Sequence, residues 1–200
     1  MPVSTAEIQE LRKKTGAGMM DSKKALVEAK GDLEKAVVIL REKGLADLSK
    51  RAGREAKEGV VDAYIHANGK IGVLVEVNSE TDFVAKNDKF KEFAHDLALH
   101  IAAADPKYVS IEDVPEDETK KEKELYKKQA KTEGKPENIV DKIAEGKLAK
   151  YYEQIVLLEQ PFVKNPDQKI KDYLGSIAGS LGENIKISRF VRMQLGLGQE

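Results

Sequence analysis

Apolar residues recur every three to four positions through the first fifty residues, a spacing that predicts three short helices. Ser4 and Glu7 have capping-box spacing ahead of Ile8 and Leu11, and Thr15-Gly16 ends that stretch. Asp21 is expected to cap a second helix carrying Ala25, Leu26 and Ala29, closed by Gly31. Asp32 caps a third, with Leu33, Ala36, Val37 and Leu40 on one face and Gly44 as its stop. Residues 1–44 therefore read as a three-helix bundle, and residues 45–58 as a polar linker, helical in part.

The period then changes to two. Val61, Ala63 and Ile65 alternate, as do Ile71, Val73, Val75 and Val77, with Asn68-Gly69 between them. A two-residue turn would bring Ile65 opposite Gly72, whereas a three-residue loop, Ala67-Asn68-Gly69, pairs odd positions with odd. The longer loop, with Gly69 left-handed, is the expectation. An amphipathic helix follows from Asn87 or Asp88, carrying Phe90, Phe93, Leu97 and Ile101 to Asp105-Pro106. Charged stretches 116–133 and 136–160, parted by Gly134-Lys135-Pro136, predict an antiparallel helical hairpin. Ile170, Tyr173, Leu174, Ile177 and Leu181 mark a last helix, ended by Gly182. Ile185, Ile187, Val191 and Met193 then alternate as a strand that joins the first two in an antiparallel three-stranded sheet. The fold class is α+β, with packed helices and a protruding helical hairpin at 116–160. Residues 59–200 form its core domain.

Composition narrows the function. The 200 residues hold 34 Lys+Arg against 35 Asp+Glu, a formal charge of −1, which speaks against a dedicated nucleic-acid binder. The absence of Cys excludes disulfides, Cys-ligated metals and thiol catalysis, and fits a reducing cytoplasm. Neither a signal peptide nor a membrane-spanning apolar run is visible, so no membrane partner is expected.

Chemistry is sparse. His66, His95 and His100 do not have metal-ligand spacing, and the carboxylates sit in mixed Lys/Glu runs typical of solvated faces. Lys13 to Gly18 holds the letters of a phosphate loop in the wrong order and after a helix. Lysines 120–131 are interleaved with Glu and lack stacking aromatics apart from Tyr126, so a solvated helix outweighs an RNA site. The expectation is no catalytic residue, no metal, no cofactor, and no enzyme in its own right.

Two segments resist a purely structural account. In Gly16-Ala17-Gly18-Met19-Met20-Asp21, adjacent methionines cannot both face one small core, so one plugs the bundle at most and another is exposed for adaptable protein contacts. In Ser79-Glu80-Thr81-Asp82-Phe83-Val84-Ala85-Lys86-Asn87, Thr81 caps a single helical turn. Phe83 either folds back onto the core, as periodicity alone favours, or stands out.

Together these segments resemble the bacterial elongation factor Ts family, as do Leu11-Arg12, Lys23 to Leu26, Val75 to Asn78, Gly134-Lys135-Pro136 and Leu158 to Val163. The resemblance runs in order over essentially the whole chain. It implies a ubiquitin-associated-like N-terminal bundle and a translation factor that promotes guanine-nucleotide exchange on elongation factor Tu. It implies docking on that partner's GTPase domain through Arg12, Met19 and Met20, and dislocation of the partner's Mg²⁺ through Thr81, Asp82, Phe83 and Val84. The helical hairpin is implied as a further contact element. Longer members carry a second core half; short ones, which this chain resembles, work as homodimers. Ser22 stands where many members have Cys. A binding adaptor built on the N-terminal bundle is the alternative.

Overall fold

Helix starts near the N-terminus follow local chemistry. In α1 (Thr5–Thr15) the Ser4 hydroxyl accepts from the Glu7 N–H at 3.2 Å, while the Glu7 carboxylate accepts from the Ser4 N–H at 2.7 Å. Gly16 closes that helix in the left-handed region, φ 67°. Helix α3 (Leu33–Arg51) begins on the Asp32 carboxylate, which accepts from the Lys35 N–H at 3.1 Å. Between them, α2 (Met19–Glu28) starts three residues earlier than expected, capped by Gly18 with no side-chain bond. Asp21 lies inside it and pairs with Lys43 of α3 instead. Ile8, Leu11, Ala25, Leu26, Ala36 and Leu40 form the buried cluster that holds the three helices together.

The computed structural model describes residues 3–196 in two compact units, one made of the chain to Ala102 with the chain from Lys171 onward, the other of Ala103–Ile170. Within the first, the third helix is not stopped by Gly44. It continues to Arg51, so of the expected linker only residues 52–57 lie outside helix and strand. Gly44 is there for a close approach, since a Cβ on it would lie 3.1 Å from the Gly175 backbone of α8 (Ile170–Leu181).

Strands β1 (Glu58–Ile65), β2 (Ile71–Ser79) and β5 (Lys186–Gln194) form the antiparallel sheet in the order β1-β2-β5. The hairpin register differs from the expected odd-with-odd pairing: Ile65 pairs with Gly72, odd with even. Gly69 is left-handed as expected, and its N–H bonds the His66 carbonyl at 2.7 Å, closing the turn on the His66–Ile71 bond of 2.9 Å. Gly59 pins the far end. A Cβ there would sit 2.1 Å from the Val77 carbonyl oxygen, so no other residue fits that place. Val73, Val75 and Val77 consequently share the buried face with Val60, Asp62 and Tyr64, while Val61, Ile65 and Leu74 are exposed on the other. In β5 an extra residue, Ser188, interrupts the pairing between Glu76–Arg189 and Val77–Ile187. Ile185 and Ile187 are buried before it; Val191 and Met193 after it are exposed. The four apolar residues expected on one face are therefore split between two.

Helix α5 (Asp88–Ala104) buries Phe90, Phe93, Leu97 and Ile101 completely. Phe93 meets the Tyr173 ring edge-on at 5.0 Å, and Tyr173 donates to Asp96 at 3.0 Å. A one-turn helix, α4 (Asp82–Ala85), precedes it.

The second unit is the helical hairpin with its root. Helices α6 (Glu116–Thr132) and α7 (Glu137–Ile155) run antiparallel around Gly134, φ 71°, with Ala130, Val140, Ala144 and Leu148 buried. Lys127–Asp141 at 2.6 Å, Lys131–Glu137 at 2.8 Å and Lys123–Glu145 at 3.3 Å cross between them. These exposed pairs are screened by water and set register more than stability. Pro136 caps α7, which ends at Ile155 rather than 160; Leu158 falls in a separate turn, Leu157–Glu159. At the root, Glu118 accepts from the hydroxyls of Tyr108 (2.8 Å) and Tyr151, which hold its carboxyl below the ordinary range. A short hairpin of β3 (Pro161–Phe162) and β4 (Asn165–Lys169) went unsignalled by the hydrophobic pattern.

Candidate functional site

Strand β2 ends at the buried Ser79, and the chain turns outward through Glu80 and Thr81 into α4. Thr81 is the cap expected of it, its hydroxyl accepting from the Val84 N–H at 3.4 Å. Asp82 pairs with Lys86 at 2.6 Å across one turn; that bond lowers the Asp82 carboxyl below its usual value and raises the Lys86 amine. Ala85 is buried and anchors the turn; Val84 is half-buried. Phe83 points the other way, 82% exposed, the most exposed large apolar side chain among the described residues. The core alternative for Phe83 is thus excluded.

What holds so short a helix is a carboxylate from the far end of the chain. Glu183, between α8 and β5, accepts from the N–H groups of Glu80 and Thr81, both at 3.1 Å, and from the Thr81 hydroxyl at 2.5 Å. The exchange is reciprocal, since the Glu80 carboxylate accepts from the Asn184 N–H at 2.6 Å and from Arg54 at 3.4 Å. Asn184 in turn donates its side-chain amide to the Arg54 carbonyl at 2.8 Å. Nothing in the linear pattern signals Glu183 beyond its place after the helix-ending Gly182, φ 79°.

The second group lies on the bundle. Met19 and Met20 open α2 and are both exposed, at 51% and 62%, so neither plugs the bundle core. Arg12 is exposed on the last turn of α1, its Nε donating to the Ala17 carbonyl at 3.4 Å. Lys89 donates to the Gly16 carbonyl at 2.8 Å and the Ser180 hydroxyl at 3.1 Å, tying the Gly16–Gly18 loop to α5 and α8. Burial, reinforced by the Arg12 charge, lowers the Lys89 amine. Sequence reasoning missed Lys89 as it missed Glu183, both acting on segments remote in the chain.

The histidines take up local roles: His66 contacts the Tyr64 hydroxyl at 3.2 Å, His95 contacts Asp62 at 3.0 Å, and His100 is fully buried. Among the described residues no cluster of His, Asp and Glu is arranged to hold a metal, and no helix is long and apolar enough to cross a membrane. The site offers shape, charge and an exposed aromatic ring.

Comparison with known proteins agrees with the motifs. The family model described as Elongation factor TS matches residues 8–197. Elongation factor Ts of Carboxydothermus hydrogenoformans is 58% identical over 196 residues, covering 98% of this chain and 90% of that protein. Those of a Thermoanaerobacter species (57% over 198 residues; 99% and 97% covered) and of Geobacter sulfurreducens (56% over 200; 100% and 93%) are similarly close. The chain belongs to the elongation factor Ts family of translation elongation factors.

Proposed function

We propose that this protein is the guanine-nucleotide exchange factor of elongation factor Tu, with Thr81, Asp82, Phe83 and Val84 acting on the GTPase's Mg²⁺ and phosphate region. The observation that carries the proposal is the outward Phe83 on a turn tied at both ends. An aromatic ring kept in water gains nothing for folding, and it suits insertion into a partner. A GTPase holds GDP through backbone N–H groups and a Lys on the phosphates, and through Mg²⁺ bridging phosphate and a hydroxyl. A wedge that displaces the metal weakens both grips, so GDP leaves and GTP can rebind. By linkage, whatever factor the protein removes from GDP affinity, GDP removes from the protein's own affinity for the GTPase. It therefore binds the nucleotide-free state best and acts without covalent chemistry.

Residues 1–44, through Arg12, Met19 and Met20, serve as the docking module; residues 59–200 carry the acting turn and the helical hairpin, a further contact element. The open apolar sheet face of Val61, Ile65, Leu74, Val191 and Met193 supports a homodimer, because such a patch in water favours self-association. Release of labelled GDP from elongation factor Tu, with and without this protein, tests the exchange reading; an unchanged rate would sink it. A monomeric mass by light scattering at micromolar concentration would sink the homodimer.

A further inference from the structure

We infer that Glu183 is a positioning residue for nucleotide exchange, which holds the Thr81–Val84 turn in place so that Phe83 is presented before any partner arrives. The inference rests on the exchange reading above and names the group on which that reading depends. Helix α4 has four residues, far too few to persist alone, since isolated helices shorter than about 12–15 residues are marginal in water. Its own sequence supplies one cap, from Thr81, and one exposed ion pair, Asp82–Lys86. The two N–H groups just ahead of it, on Glu80 and Thr81, have no helical partner. Glu183 takes both, and takes the Thr81 hydroxyl as well, so one carboxylate makes three bonds to two consecutive residues.

Those bonds have a particular geometry of consequence. With its hydroxyl hydrogen donated to Glu183, the Thr81 oxygen keeps its lone pairs for the Val84 N–H, which orients the cap. Glu80, answering with its own carboxylate on the Asn184 N–H, stops the two segments from sliding past each other. The buried Ala85 fixes the far side of the turn. Phe83 is thus carried on a turn held from its start by a residue 102 positions away from Thr81. A side chain presented this way loses little conformational freedom on binding, the general advantage of a preorganised contact.

The test uses the full-length protein with elongation factor Tu and labelled GDP. Glu183→Ala is expected to lower the exchange rate at saturation by about ten- to a hundredfold, the cost of misplacing an acting group by about 1 Å, while half-saturation changes little. Glu183→Gln should recover most of the rate, since its amide oxygen can accept from both N–H groups while its NH₂ donates to Thr81. The double variant Phe83→Ala/Glu183→Ala should exchange no more slowly than Phe83→Ala alone, because a positioning residue has nothing left to position. Amide hydrogen exchange should quicken at Glu80 and Thr81 in Glu183→Ala and stay unchanged in the bundle. If Glu183→Ala fails to fold, Glu183→Asp, which withdraws the carboxylate by one methylene, takes its place with the same expectations. Normal exchange by Glu183→Ala beside a defective Phe83→Ala would overturn the inference, as would fully additive losses in the double variant. Normal exchange by Phe83→Ala would instead sink the wedge reading, and the positioning role with it.

Discussion

Phe83 and the Met19–Met20 pair both hold large apolar side chains out in water, and they are built in opposite ways. Phe83 stands on a turn fixed by a threonine cap, an ion pair and three bonds to Glu183. Met19 and Met20 open a helix whose cap, Gly18, contributes no side-chain bond, and each methionine has three rotatable bonds of its own. A rigid planar ring is suited to forcing a fixed shape into a partner. Soft, unbranched side chains on a plain helix start are suited to fitting a surface as it is. On the function proposed above, the difference separates displacement from docking, and it can be attacked from either end.

The largest effect is expected at Phe83. Phe83→Ala should lower exchange at saturation by about a hundredfold yet leave stability within about 0.5 kcal/mol, the usual range for an exposed position. Phe93→Ala, at a fully buried ring, should cost about 3–5 kcal/mol. Melting temperature and GDP release measured on both variants decide it; a large melting shift in Phe83→Ala would erase the contrast. Next comes the paired change Met19→Ala/Met20→Ala. Truncating two contact residues should weaken binding about tenfold with exchange at saturation preserved, as titration calorimetry and saturation kinetics can separate. Should it instead depress the saturated rate, the methionines would share in displacement.

A smaller effect is expected within α2. The buried Ser22 hydroxyl has no hydrogen-bond partner, so Ser22→Ala should raise stability by about 1 kcal/mol in urea unfolding without changing binding. Lower stability would mean that the hydroxyl is bonded after all. The smallest concerns pH. Because Lys86 holds the Asp82 carboxyl below its unfolded value of about 3.9, the pair's contribution is fully present above that pH. It is lost as pH falls through the depressed folded value. Asp82→Asn should therefore be slightly less stable than the native protein at pH 6, and the two should converge on acidification. Parallel curves would show that the ion pair does not support the turn.

What was legible in the sequence was local. Ser4 with Glu7, Asp32, Gly69 and Gly182 each act within a few residues of themselves, and each does what its neighbours imply. The errors came where a distant segment decides. Gly44 looks like a stop, but it is needed where α3 crosses Gly175, 131 residues on. The hairpin register turned on Gly59 against the Val77 carbonyl, and the face of Val191 and Met193 turned on the extra Ser188. Of the candidate site, the motif resemblance singled out Phe83 while periodicity favoured the core for it. Two groups that hold the site residues in place, Glu183 and Lys89, act on loops far from themselves and leave no local trace.

The bonds that join Glu80 and Thr81 to Glu183 also impose an order in time. Glu183 lies 103 residues beyond Glu80, so at about 5–20 residues per second a ribosome makes the turn roughly 5–20 s before it makes the carboxylate that secures it. During that interval β5 is also missing from its place beside β2. The nascent protein can assemble its bundle from residues already made, yet the turn that carries Phe83 still lacks its anchor. The turn is thus made well before the carboxylate that secures it.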